Sequence, residues 1–251
     1  MKVLGTALLL ASSLILPACG NGAAGGDKAA SAVFPDAVTA DSAHYTVLFE
    51  NDAARLLRIK YAAGDKSVMH NHPASCAVFL TDSKFKMTPA SGEAQTSNNT
   101  SGQVSCGDAE VHLPENAGDK AAEVILIEFK NRNTFDNVQT GKSITVSSAP
   151  TVPDAIAADP AHYSVQFEND AVRVLRIKFG PGEKARMHAH PANCAIELTG
   201  GTTKDGDGKP EESKPGEAGC GDAQAHAPEN VGKQPFETIL VEFKNMEKFK
   251  S

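Results

Sequence analysis

Every histidine in this chain has a twin: His44 answers to His162, His70 to His188, His72 to His190 and His112 to His226. Four of the five cysteines pair in the same way, Cys76 with Cys194 and Cys106 with Cys220. The first three histidine pairs share one offset, and the last is slightly shorter because the second copy has lost a few residues between its motifs. One unit therefore occurs twice, and any fold for the chain has to be assembled from two similar halves. Side chains kept in both copies while their surroundings drifted are side chains that work together.

The copies align directly. HYTVLFENDAARLLRIKYAAGDKSVMHNHPASCAVFLTD, from His44, matches HYSVQFENDAVRVLRIKFGPGEKARMHAHPANCAIELTG, from His162, and well over half of the positions are identical. The segments that follow share almost nothing, are rich in Gly, Pro, Ser and charge, and read as exposed loops or edge hairpins. Similarity resumes at GQVSCGDAEVHLPENAG and GEAGCGDAQAHAPENVG, and each copy closes on an apolar run, VILIEFKN or TILVEFKN.

At 251 residues and 41% hydrophobic content, the chain can bury two cores of about 100 residues each. Two copies are too few for a stacked solenoid, which generally needs three or more units. The net charge of −7 leaves no basic face for a phosphate backbone, so nucleic acid is not an expected partner.

Short runs such as YTVLFE, RLLRIKY, CAVFL and VILIEFK are β-branched and aromatic-rich and are separated by Gly, Asn and Asp turns. They predict an all-β protein of antiparallel sandwich or barrel type. A helix is expected, if anywhere, at PDAVTADSA (35–43) and PDAIAADPA (153–161), where Asp follows Pro at a plausible first turn. Asn51-Asp52 and Asn169-Asp170 read as turns. Arg55 and Arg58, like Arg173 and Arg176, are three apart and lie on opposite strand faces, so at most one of each pair points inward. Glu128 and Glu242, in the closing strands, are expected to partner an Arg.

Gly64-x5-His70-x-His72-x3-Cys76 and Gly182-x5-His188-x-His190-x3-Cys194 resemble the first motif of the cupin superfamily, with Cys where the family usually has Glu. Gly102-x9-His112-x3-Asn116 and Gly216-x9-His226-x3-Asn230 resemble the second, one residue short and without its P-x-G turn. The resemblance covers nearly the whole chain after its amino-terminal segment and implies two tandem cupin-type antiparallel β-barrels, jelly-roll-like, at 34–133 and 153–251, joined by a linker at 134–152.

It also implies a metal. Residues i and i+2 of a strand share a face, so His70 and His72, like His188 and His190, point into the barrel, where His112 or His226 joins them from a distant strand. Three neutral imidazoles suit a divalent transition metal, Zn, Fe, Cu or Ni, and leave positions open for water or substrate. His44 and His162 match no motif position and are expected to be structural. Cys76 and Cys194 stay open between two roles: thiolate ligands in place of the usual Glu, or disulfides to Cys106 and Cys220, which an exported chain permits. Bridged, they would leave a more positive centre that favours a small anionic ligand.

The amino terminus supplies an address. Lys2 precedes LGTALLLASSLILP, too short and too rich in small residues for a spanning helix, which reads as an export signal over 1–18. It ends in Leu16-Pro17-Ala18-Cys19, which resembles a bacterial lipobox and implies a lipid on Cys19. Residues 19–33 then form a flexible tether. Gly20 resembles the pattern of lipoproteins sent to the outer membrane, so the expected location is the cell envelope, anchored there and facing the periplasm. No G-x-S-x-G, Walker or H-E-x-x-H pattern occurs. The expected function is a membrane-tethered, metal-binding bicupin that senses or holds a small ligand. The alternatives are a three-His dioxygenase or related cupin enzyme acting on a small anionic substrate, and a docking platform.

Overall fold

The computed structural model describes residues 33–130, 132, 152–244, 246 and 249. The export signal, Cys19, nearly all of the tether and nearly all of the linker lie outside the described residues.

The first copy runs β1 (Tyr45–Glu50), β2 (Ala54–Tyr61), β3 (His70–His72), β4 (Ser75–Phe79), β5 (Ser83–Pro89), β6 (Gln95–Asn99), β7 (Val104–Gly107), β8 (Glu110–Asn116) and β9 (Ala122–Phe129). The second runs β10 (Tyr163–Glu168), β11 (Val172–Phe179), β12 (His188–His190), β13 (Asn193–Glu197), β14 (Gly201–Asp205), β15 (Glu211–Ser213), β16 (Ala218–Gly221), β17 (Gln224–His226), β18 (Pro228–Asn230) and β19 (Phe236–Phe243). All of the strand pairs are antiparallel, as the short runs predicted.

Each copy has a five-stranded sheet, ordered β1-β2-β9-β4-β7 or β10-β11-β19-β13-β16. Opposite it, the first copy has the four-stranded sheet β3-β8-β5-β6. In the second copy Ala227 interrupts the strand equivalent to β8, and the facing layer divides into β12-β17 and β15-β14-β18.

The turns follow from the residues. Asn51 Oδ1 accepts from the backbone N–H groups of Ala53 and Ala54 and closes the β1–β2 hairpin; Asn169 does the same for Ala171 and Val172. Asp36 and Asp154 cap single helical turns, α1 (Ala37–Ala40) and α2 (Ala155–Ala158), where the Pro-Asp dipeptides marked them. Asn116 and Asn230, kept in both second motifs, are fully buried structural residues. Asn116 Nδ2 donates to the carbonyls of Ala62 and Lys120 at 2.9 and 2.8 Å. Asn230 Nδ2 serves those of Phe179 and Gln234 at 3.2 and 2.9 Å.

The central strands β2, β9, β11 and β19 are buried on both faces, which is why they read as continuous apolar runs rather than alternating ones. One face of each lines its own barrel: Leu57, Ile59 and Leu126 in the first, Leu175, Ile177 and Leu240 in the second. The other face enters a core common to both copies, where Leu56, Val78, Ile125 and Ile127 pack with Val174, Ile196, Ile239 and Val241. The described residues from Phe34 onward accordingly form one compact unit, not two self-contained cores. Each fully buried aliphatic side chain contributes on the order of 1.5–3 kcal/mol, so the common core commits the copies to each other.

The join is also polar. Arg58 of the first barrel donates to the carbonyl of Gly216, and Arg176 of the second donates to the carbonyl of Gly102. Both glycines have positive φ, 79° and 80°, a conformation that side chains other than Gly rarely adopt. The outward arginine of each copy thus grips the glycine turn of the other.

Candidate metal centres

His70 and His72 occupy β3, with His70 directly opposite His112 on β8; His188 and His190 occupy β12, with His188 opposite His226 on β17. In each copy the three ligand atoms lie within 4.8 Å of one another. Both triads predicted from sequence are therefore brought together, and all six side chains are largely withdrawn from solvent.

Their hydrogen bonds orient the rings. His70 Nδ1 donates to the Val68 carbonyl at 2.7 Å, and His72 Nδ1 donates to Glu128 Oε1 at 2.6 Å. With both Nδ1 protons committed, the Nε2 atoms of His70 and His72 face each other as lone pairs at 3.0 Å. The second copy repeats this: His188 Nδ1 to Arg186 O at 2.7 Å, His190 Nδ1 to Glu242 Oε1 at 2.6 Å, and the Nε2 pair at 2.9 Å. Two lone pairs at that separation call for a cation between or beside them. A proton is a poor choice at His70, where burial and the adjacent His72 push the imidazole down to about 4. Burial and the other two imidazoles push His226 down to about 4 as well, and burial lowers His188.

The third imidazoles add to this. His226 Nε2 is buried without a partner. His112 Nδ1 lies 3.1 Å from Glu110 Oε1 but out of line for a hydrogen bond, and it too lacks a proper partner. Buried polar nitrogens are costly unless paired, and convergent imidazole nitrogens are what a transition metal takes. The donor set fits a metal held by His70, His72 and His112, and a second held by His188, His190 and His226.

Behind each triad runs a charged relay that the sequence only hinted at. Arg55 Nε donates to Glu128 Oε2 at 2.5 Å and Arg55 Nη1 to Asp36 Oδ1 at 3.0 Å. Arg173 Nε donates to Glu242 Oε2 at 2.5 Å and reaches Asp154 through both Nη atoms. Glu128 is 1% exposed and Glu242 0%. Burial alone would raise the Glu128 carboxyl, but the bonds from His72 and Arg55 hold it below the usual carboxylate range. The expectation that one arginine per pair points inward and that these glutamates partner it is met. The contact of each glutamate with a triad histidine was not foreseen; the signal available was the identical EFKN ending of both copies.

Tyr45 was also missed. Its hydroxyl lies 3.1 Å from His70 Nε2 and shares a hydrogen bond with the Tyr61 hydroxyl at 3.0 Å. In the second copy Tyr163 packs edge-on to His188, and Phe179 stands where the first has Tyr61. His44 and His162 stay outside the triads. Each stacks on an aromatic ring, Tyr61 at 4.3 Å or Phe179 at 4.2 Å, and bonds to carboxylates, Asp41 and Asp65 or Asp159 and Glu183.

The cysteines are bridged, Cys76 to Cys106 and Cys194 to Cys220, with S–S separations of 2.04 and 1.98 Å. Each pair sits directly opposite across β4–β7 or β13–β16. Thiolate ligation, the other role open to Cys76 and Cys194, is thereby excluded. Both side chains belong to the core shared by the two copies, on the sheet face away from the triads. The negative charge that the Cys substitution removed from the motif is nonetheless present beside the first triad, supplied by Glu128 and Glu110.

No protein-family model matches this chain, and no curated protein matches it. Solved structures do. AerE from Microcystis aeruginosa is 13% identical, with a TM-score of 0.53 over 84% of this chain and 98% of that one. An oxalate decarboxylase is 14% identical, with a TM-score of 0.52 over 82% and 74%. Salicylate 1,2-dioxygenase from Pseudoaminobacter salicylatoxidans, as a mutant, is 9% identical, with a TM-score of 0.51 over 76% and 70%. Identities this low speak to architecture alone, and on that evidence the chain is an all-β protein with the cupin fold.

Proposed function

We propose that this protein is a metal-binding bicupin that holds one divalent transition metal in each barrel and binds a small ligand beside it. The observation that carries the reading is the pair of facing Nε2 lone pairs in each copy, 3.0 and 2.9 Å apart, with both Nδ1 protons tied to a carbonyl and a carboxylate. Metal-ligating histidines are characteristically fixed in this way. Zn, Fe, Cu and Ni all accept imidazole nitrogen. When bound, the metal supplies a Lewis-acidic centre. The protein orients the rings through Glu128 and Glu242, keeps His70, His188 and His226 neutral by burial, and places the Tyr45 hydroxyl against His70.

Elemental analysis of the purified protein should find two transition-metal ions per chain. His72→Ala with His190→Ala should abolish binding while the β-type circular dichroism persists. Full metal retention in that double variant would exclude the triads.

The location belongs to the same proposal. The Leu16-Pro17-Ala18-Cys19 sequence supports a lipid anchor in the cell envelope, with the barrels on a tether at the outer membrane and facing the periplasm. Among the described residues no helix is long and apolar enough to cross a membrane. Wild-type protein should partition with membranes, and Cys19→Ser should lose that anchor or accumulate as precursor. Soluble mature wild-type protein beginning at another residue would refute it.

A second reading, a metal-dependent oxygenase, has one observation in its favour: three protein ligands leave coordination positions open on each metal. Oxygen consumption by the metal-loaded protein with a panel of small organic acids would test it.

A further inference from the structure

The triads are nearly superimposable in kind, but the barrel interiors beside them have diverged. In the first barrel a cavity of about 80 Å³ reaches His72 and His112. Its walls are apolar, with Phe79, Phe85, Met87 and Leu126 among them, and its polar atoms gather at the triad end with Tyr45, Tyr61 and Glu110.

Strand register identifies what the second barrel has in the same places. Phe85 lies opposite Asn116 and Met87 opposite Pro114; Thr203 lies opposite Asn230 and Asp205 opposite Pro228. Phe79 pairs with Val124, whereas Glu197 pairs with Thr238 and accepts a hydrogen bond from its hydroxyl at 2.7 Å. Ala122, beside Tyr61, is replaced by Phe236, which stacks on Phe179 with ring centroids 5.2 Å apart. Gly201 lets the Phe236 side chain approach closely, because a Cβ there would meet the Phe236 Cβ at 2.9 Å. Opposite the second histidine, Glu110 gives way to Gln224. The second copy has thus exchanged apolar wall for Glu, Thr and Asp and moved an aromatic ring to the Ala122 position.

We infer that the first barrel alone binds a small uncharged molecule, with a compact apolar body and one hydroxyl or carbonyl directed at the triad, and that the second barrel has been closed to it. This rests on the ligand-binding part of the reading above and names the ligand class. The apolar part of such a cavity takes up matching hydrocarbon, and the polar end offers partners for one hydroxyl or carbonyl. The charges beside it balance: Glu110 and Glu128 offset a divalent cation, and Arg55 is already paired with Glu128 and Asp36. An anion therefore finds no excess positive charge there, in contrast to the anionic ligand that a bare three-His centre would favour.

The test uses the Zn-loaded protein with ¹³C-methyl methionine, isobutanol as the probe and isobutyrate as its charged counterpart. Zinc content is measured first. Isobutanol should move the Met87 methyl resonance saturably, with affinity of about millimolar for so few heavy atoms, and leave that of exposed Met187 unmoved. Isobutyrate should bind at least about tenfold more weakly. Ala122→Phe, which brings in the ring of the second barrel, and Phe85→Thr should each abolish the shift while zinc content and circular dichroism stay as in wild type. An unmoved Met87 resonance in zinc-replete protein, or isobutyrate binding as tightly as isobutanol, would overturn the inference. If the protein retains no zinc, the metal reading fails, and the Met87 titration still decides the cavity.

Discussion

Glu128 Oε1 accepts a hydrogen bond from His72 Nδ1 at 2.6 Å while its other oxygen accepts from Arg55 at 2.5 Å, and Glu242, His190 and Arg173 repeat the arrangement. The carboxylate fixes which ring nitrogen of the histidine carries the proton. It therefore leaves Nε2 free to ligate.

Glu128→Gln should weaken metal binding in the first barrel by about 10- to 100-fold. The amide can still accept from His72, but its NH2 group meets the Arg55 guanidinium, and the negative charge is lost. The second barrel should be unaffected. Competition against a graded chelator, with the second triad silenced by His190→Ala, measures this, and an unchanged affinity would contradict a positioning role for Glu128.

The metal-free protein should lose stability as pH falls. His70 and His226 are held at about 4, below the ordinary 6.5, and His188 is also lowered. The unfolded chain therefore binds more protons than the folded one between about pH 6.5 and pH 4, so stability is full above that window and declines through it. The slope is at most about 1.4 kcal/mol per pH unit for each such histidine. Urea midpoints across the window measure it. His226→Asn should flatten the curve, and a wild-type midpoint independent of pH would count against neutral, buried His70, His188 and His226.

Cys106→Ser opens a loop whose ends are 30 residues apart. The chain-entropy model puts the loss at about 3–4 kcal/mol. The variant should expose one reactive thiol, Cys76, on unfolding, and it should bind metal as wild type does, since the bridge lies on the sheet face away from the triad. Four free thiols in oxidised wild-type protein would rule the bridges out.

Arg58→Ala and Arg176→Ala each remove one grip between the barrels together with its partner contact to Glu123 or Glu237. Because these arginines are partly exposed, each loss should be about 1 kcal/mol. The double variant should still unfold in one transition, because the shared apolar core remains. Two separated transitions in scanning calorimetry would show that the arginines, rather than the core, couple the copies.

Some of this protein was legible in its residues alone. Strand alternation is local, so His70 and His72 had to share a face, and the duplication required the same of His188 and His190. The turn residues Asn51 and Asn169 and the caps Asp36 and Asp154 act within a few positions of themselves and were equally readable as turns and helix starts. What the sequence could not decide depends on which strands become neighbours and which sheet face meets which layer. The register of β2 against β9 brings Arg55 to Glu128, and the packing of sheet on sheet turns Cys76 away from the triad into a core that belongs to both copies. The cavity beside His72 exists because Phe79, Phe85 and Leu126 come together from separate strands. Those are non-local choices of pairing and volume, and only the tertiary structure makes them.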